Sequence, residues 1–391
     1  MISDRLLAIV RCPDCGGSLA RGEPLGCGTC HRQYAAGGGY LDLRPGVSFA
    51  EQTKYLDEAL HADARHEHVS PPLLGAGVRQ AMLRNMLRPG PGDLVADFGC
   101  GSGRMLVWNR ASGAHLVGID VSPHFAVEAL SSSDLVLGDL RRLPFPDATF
   151  TKAWSLDVFE HLSREALDAV LGEMGRVMAP GGQLFVYSHV RRNSPLAAGL
   201  RGINALARRL ERMGLVDLAQ ERLRKSDHVN PLADIPDLEA TVARAGFRIA
   251  QIRYYTPLVG GFVENILMRV AERWMGRRAA RRAGGVADRA TEARLARTKA
   301  KATLARRGPV LWGLHALTTL MRADLALFGR MRSGPFFALL EREPRISTDQ
   351  SQGTRIATGF HGSDRGARIA TGCHGSDQGR RTPAESADPE T

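Results

Sequence analysis

No stretch of this 391-residue chain is both long enough and apolar enough to span a bilayer. The longest weakly charged run, Val310 to Met321, stops against Arg322 and Asp324, short of the roughly 20 residues a spanning helix needs. No export leader is expected either: "LLAIV" after Arg5 is too brief for a signal core and runs straight into a cysteine pair, so a cytoplasmic protein is expected. Cysteines are few, and four of the six fall in two C-x-x-C pairs near the N-terminus. Without an export signal, such pairs suit a metal better than a disulfide framework.

Acidic residues are scarce in one region only. Residues 1–190 hold 17 basic and 21 acidic side chains, residues 191–345 hold 30 and 14, and residues 346–391 hold 5 and 6. The positive charge therefore belongs to the 191–345 region, which should meet something acidic. Aromatics are almost absent from its most basic part: Arg269 to Arg307 carries 13 basic residues, three acidic ones and a single ring, Trp274. RNA recognition favours stacking platforms among the cations. An anionic membrane surface needs none, and the weakly charged segment Val310 to Phe328 that follows suits an interfacial helix. The competing reading is that its apolar face packs on the sheet and the arginines are merely solvated.

What is present begins with "LVADFGCGSGR", residues 94–104, an apolar run, an acid and then Gly99, Gly101 and Gly103. Glycines after a buried strand let backbone N–H groups approach a ligand before the chain turns into a helix. The dinucleotide fingerprint G-x-G-x-x-G would need a glycine where Arg104 stands. Apolar strands "DLVADFG", "HLVGID", "DLVLGD", "FTKAWSLDV" and "GQLFVYSH" alternate with helical stretches, which implies an α/β parallel sheet covered on both faces. Ligands in such sheets bind at the carboxyl ends of the strands.

Taken as a set, the D-x-G-x-G-x-G loop, the acids closing "GIDVS" and "LGDLRRLPFPDATF", and "RVMAPGGQLFVYS" resemble the class I S-adenosylmethionine-dependent methyltransferases over roughly residues 75–255. The resemblance implies a Rossmann-like sheet in which Asp97, Gly99, Gly101 and Gly103 hold the methionine part of the cofactor. Asp120 would bond the ribose hydroxyls, and Asp139 with Leu140 would face the adenine. Thr151 stands where the family commonly has an acid. Methyl transfer is largely alignment, helped by a base where the nucleophile must lose a proton. Glu160, His161, His189 and His228 are the candidates. Asp157, Glu160 and His161 loosely resemble the E-x-x-E-H metal cluster of quinone-precursor O-methyltransferases, against the plainer reading of a helix cap beside a partly buried histidine. An N-P-P-Y type tetrad of amino-methylating enzymes is missing at the end of the fourth strand.

The pairs Cys12-x-x-Cys15 and Cys27-x-x-Cys30, eleven residues apart, place four thiolates for tetrahedral Zn²⁺ with no open position. A redox pair is the alternative. The flanking sequence resembles Trm112-like zinc ribbons and the ribbon fused to some ribosomal-RNA guanine methyltransferases, in which His31 could replace Cys30.

The expected organisation is a zinc ribbon (1–45), a methyltransferase core (46–257), a basic and amphipathic helical insertion (258–333), a final strand (334–345) and a disordered low-complexity tail (346–391). The expected function is methylation of a small or lipid-like acceptor near a membrane surface. RNA methylation is second, and a non-catalytic binding partner with a methyltransferase fold is third.

Overall fold

The computed structural model describes residues 2–22, 24–45, 69–191, 197–216, 228–255, 257–271, 273–274 and 308–344, with 218 and 222 as isolated positions. Most of the basic stretch 269–307, the segment 46–68 and the tail from 346 lie outside the described residues. Among the described residues no helix is long and apolar enough to cross a membrane.

The first 45 residues form helix α1 (Asp4–Ile9), a small sheet of β1 (Leu19–Ala20), β2 (Leu25–Cys27) and β3 (Gln33–Tyr34), and a hairpin of β4 (Ala36–Gly37) and β5 (Tyr40–Asp42). Helix α2 (Leu74–Met86) leads into β6 (Leu94–Phe98), α3 (Arg104–Asn109), β7 (His115–Asp120), α4 (Val127–Ser132), β8 (Asp134–Leu137) and β9 (Phe150–Leu156). Then come α5 (Arg164–Val177), β10 (Met178–His189), α6 (Ala197–Arg212), α7 (Ile235–Arg244), β11 (Phe247–Tyr254), α8 (Pro257–Phe262), α9 (Pro309–Phe328) and β12 (Pro335–Arg342).

Local sequence explains these elements. Helix α5 starts because the Ser163 hydroxyl accepts from the Ala166 amide, and it stays on the sheet because Leu167, Val170, Leu171 and Met174 recur on one buried stripe. Asp234 caps α7 in the same way through the Asp237 amide, with Pro236 in its first turn. Every residue of β6 and β8 is buried, as central parallel strands covered on both faces require.

The sheet order is β11-β12-β10-β9-β6-β7-β8-β5-β4. Strands β6 to β11 run parallel, β12 lies antiparallel between β10 and β11, and β5 adds parallel to β8. After β6 the chain builds β7 and β8 on one side, then returns to build β9 and β10 on the other. The switch point lies at the carboxyl end of β6, where a crevice opens for a ligand.

Two details differ from the sequence expectation. The prolines and glycines of "SPPLLGAG" read as a helix break, but the break ends at Leu73, and Gly75 and Gly77 lie inside α2. A Cβ on Gly77 would meet both the Pro72 carbonyl oxygen and Thr318 Cγ2 at 2.8 Å, so the glycine lets α9 press against α2. The "APGG" after Met178 reads as a helix stop, but it lies in the opening of β10, where an irregularity separates Met178 from Gln183.

Candidate active site

Gly99, Gly101 and Gly103 all have positive φ, at +79°, +52° and +78°, a region open to glycine at little cost. Their surroundings assign them different tasks. A Cβ on Gly99 would collide with Val158, and one on Gly103 with Ala129, so those two glycines permit close packing. A Cβ on Gly101 would meet nothing within 4 Å. Its open side is where a ligand can approach the backbone.

The loop is pinned from beneath. Asp120, at the end of β7, accepts from the Gly101 amide at 2.7 Å through Oδ2 and from the Ser122 amide at 2.9 Å through Oδ1. Each carboxylate oxygen retains a lone pair for a further donor. Asp97 is buried, and its Oδ2 has no hydrogen-bond partner. Burial, with the nearby charge of Asp120 adding to it, pushes its carboxyl up to about 8. Such an oxygen is an unsatisfied acceptor that a cationic donor would relieve. Asp139, just beyond β8, accepts from the Arg141 amide at 2.9 Å, while burial raises its carboxyl above the usual range. Leu140 follows it, half-buried and packed against the core. Thr151 plays a structural part, its hydroxyl donating to Asp93 at 3.1 Å and tying β9 to the loop before β6.

We expect Gly101→Val to abolish binding of S-adenosylhomocysteine while leaving the fold intact. The added side chain would point into open space, and the backbone strain costs about 1–2 kcal/mol. Thermal-shift titration of the variant and wild type checks this.

A second cluster faces the crevice from the ends of β9 and β10. Glu160 is buried; its carboxylate accepts from the Ser188 hydroxyl at 2.7 Å and lies 3.5 Å from His189 Nδ1. Burial alone would raise this acid, yet His189 and Ser188 hold it below the usual carboxylate range. The Asn230 amide donates to the Glu160 carbonyl at 2.9 Å. That bond brings His228 against His161, with ring centroids 4.6 Å apart and planes nearly perpendicular. Asp157 has φ +57° and lies 3.8 Å from the Arg79 guanidinium, which also covers the Tyr187 ring. Glu160, His161, His189 and His228 thus come together, whereas Asp157 is drawn toward Arg79. Ser188 and Arg79 escaped the sequence reading, because a lone serine at a strand end and one arginine in a helix carry no signal by themselves.

In the N-terminal module the four sulfurs of Cys12, Cys15, Cys27 and Cys30 lie within 4.8 Å of one another. Cys12 and Cys30 are 3.6 Å apart, and Cys15 and Cys27 3.4 Å. Backbone amides of Thr29 and Cys30 point at Cys27 Sγ. The Cys30 amide leads in pulling that thiol down to about 6. Against the Gly17 amide, the neighbouring Cys27 sulfur pushes Cys15 up to about 12. Four sulfurs so close, sharing protons unequally, are the donor set of a tetrahedral thiophilic ion. His31 is not part of the group.

The module also touches the crevice. The Leu43 amide donates to the Leu137 carbonyl at 2.8 Å, the Arg11 amide to the Pro144 carbonyl at 2.9 Å, and Arg142 to the Asp14 carbonyl at 2.5 Å. The loop carrying Asp139 and Leu140 is therefore held between β8 and the first cysteine knuckle.

Residues 96–186, which contain the loop, the strand-end acids and Glu160, match the family model described as a methyltransferase domain. The chain is similar to methyltransferases over this segment. Its relatives include the mouse protein "Probable tRNA methyltransferase 9B", 39% identical over 99 residues, covering 25% of this chain and 22% of that protein. The rice protein "24-methylenesterol C-methyltransferase 2" is 32% identical over 139 residues, covering 32% and 38%. "Methyltransferase GfsG" of Streptomyces halstedii is 31% identical over 163 residues, covering 37% and 58%. The chain thus spans less than two thirds of the length of these relatives.

Proposed function

We propose that the chain is an S-adenosylmethionine-dependent methyltransferase whose acceptor is a small or lipid-like molecule. The observation that carries this reading is the open space at Gly101 and the Asp97 oxygen without a hydrogen-bond partner, within a segment matching a methyltransferase domain. Asp97 would take the ammonium of the cofactor's methionine part, Asp120 the ribose hydroxyls, and Asp139 with Leu140 the adenine. The cofactor supplies an electrophilic methyl carbon on a sulfonium. The chain supplies alignment and dry walls, and Glu160, His161 and His228 stand where an acceptor proton would leave.

Relatives named for sterol and acyl-carrier-protein methylation support a lipid-like acceptor. The tRNA relatives favour RNA as the second reading. Four clustered thiols support a Trm112-like structural zinc ribbon over residues 1–45, ahead of the core. Mass spectrometry of lipid and small-molecule extracts from cells with and without the gene tests the acceptor class. The reading expects an organic-soluble species one methyl heavier when the gene is present. A change confined to RNA nucleosides would replace it with the second reading.

Docking on an anionic membrane belongs to the same proposal. Helix α9 buries Thr318, Met321 and Leu325 but leaves Trp312 77% and Leu327 75% exposed, and Trp274 and Phe262 are exposed as well. Each cation near an anionic surface contributes about 1 kcal/mol. Liposome flotation should require anionic lipid, weaken with salt, and fail when the cations of residues 269–307 are neutralised. Flotation on neutral vesicles alone would contradict this.

A further inference from the structure

We infer that Glu160, His161 and His228 form a binding site for a divalent first-row transition-metal ion at the acceptor side of the crevice. The inference rests on the methyltransferase reading only for the use made of the ion, not for the site itself. One ligand atom from each residue lies within 4.8 Å of the other two, although His228 is far from the others in sequence.

The cluster is assembled by contacts outside it. The Asn230 amide bonds the Glu160 carbonyl at 2.9 Å, and Asn230 takes φ +48° to do so. Beyond it, Arg164 forks onto Asp237 at 3.0 and 2.8 Å, fixing the strap that carries His228 against the start of α5. Two imidazoles on one ion at about 2.1 Å from each nitrogen have ring centres about 5 Å apart. The observed 4.6 Å fits with little movement.

The third donor is placed just as firmly. Glu160 is 1% exposed; the Ser188 hydroxyl donates to its Oε2 at 2.7 Å, and His189 Nδ1 lies 3.5 Å from its Oε1. Outer partners of this kind orient a metal-bound carboxylate. Two imidazoles and one carboxylate select transition ions over Mg²⁺ or Ca²⁺ and leave coordination positions open. This ligand set differs from the one the D-x-x-E-H spacing suggests, because Asp157 turns toward Arg79 and His228 takes its place. An open position here would take an oxygen of the acceptor and acidify its hydroxyl. The proton leaves to solvent, the oxygen lone pair forms the new bond to the methyl carbon, and the sulfur keeps the electrons of the bond that breaks.

Full-length protein with its cysteine site filled with zinc is titrated with Co²⁺ and followed by visible absorption. One further equivalent should bind with d–d bands and without thiolate charge transfer. His228→Ala and Glu160→Gln should weaken Co²⁺ binding by about a hundredfold, whereas Asp157→Asn should leave it unchanged. S-adenosylhomocysteine titration of each variant reports that the fold survives. No added equivalent in the wild type, or equal Co²⁺ affinity in a folded His228→Ala, would overturn the site. Histidine-dependent Co²⁺ binding in a protein that never binds S-adenosylhomocysteine would keep the site and remove the methyltransferase reading.

Discussion

Asp97→Ala should weaken S-adenosylhomocysteine binding by about 2–3 kcal/mol, and the wild-type affinity should rise with pH until about 8. The first number is the worth of a buried hydrogen bond to a charged group. The second follows from Asp97 itself. Its carboxyl is pushed up to about 8 by burial, so at pH 7 the ligand-free protein holds it protonated. An ammonium favours the ionised form, and binding therefore releases a proton over the pH range below about 8 in which the bound carboxyl is ionised and the free one is not. Affinity then gains up to about tenfold per pH unit and levels off above that point. The same linkage makes the ligand-free fold lose stability as pH rises from the ordinary carboxylate value of 3.8 toward 8. Calorimetry in buffers of different ionisation enthalpy measures the released proton. Asp97→Asn should release none, and proton release unchanged in that variant would assign the linkage to another group.

Removing one of the four clustered thiols, which we propose hold zinc, should have the broadest effect. Cys12→Ser should lose the metal, expose residues 1–45 to protease and lower Tm by roughly 5–10 °C, at about 2–4 °C per kcal/mol for a chain of this size. A module with two- and three-residue strands cannot hold itself by burial alone. The less obvious consequence is for the cofactor. The Arg11 amide reaches the Pro144 carbonyl, and Arg142 of the Asp139–Pro144 loop reaches the Asp14 carbonyl, only while the knuckle around Asp14 keeps its shape. Affinity for S-adenosylhomocysteine should fall about tenfold with the loss of these bonds, each worth about 0.5–1.5 kcal/mol. Elemental analysis, limited proteolysis and titration of the one variant separate these effects. A zinc-free protein with a protease-resistant N-terminus would contradict them.

The sequence spoke most clearly where chemistry is local. The glycine loop and Asp120 sit within one strand–helix–strand unit, so the alternation of apolar strands and helical stretches placed them at adjacent strand ends, and the 2.7 Å Gly101–Asp120 bond shows why that acid stands there. Cys12 through Cys30 were readable for the same reason. What escaped were pairings across long separations. Nothing in "YLDL" announces that β5 will add to β8, since two residues of register, Leu41 opposite Val136 and Asp42 opposite Leu137, make the join. The meeting of His228 with His161 is equally silent, because a backbone bond from Asn230 decides it. Helix α2 misled in the opposite way: its glycines read as a break but serve close packing against α9, which lies more than 200 residues further along the chain.

Methyl transfer itself is the most direct test. Purified protein is incubated with methyl-labelled S-adenosylmethionine and an organic extract of cells lacking the gene, then partitioned between organic solvent, aqueous metabolites and RNA. The account predicts label in organic-soluble or small-molecule product, formed by the wild type and absent with Gly101→Val. Label found only in RNA, or transferred equally by Gly101→Val, would contradict it.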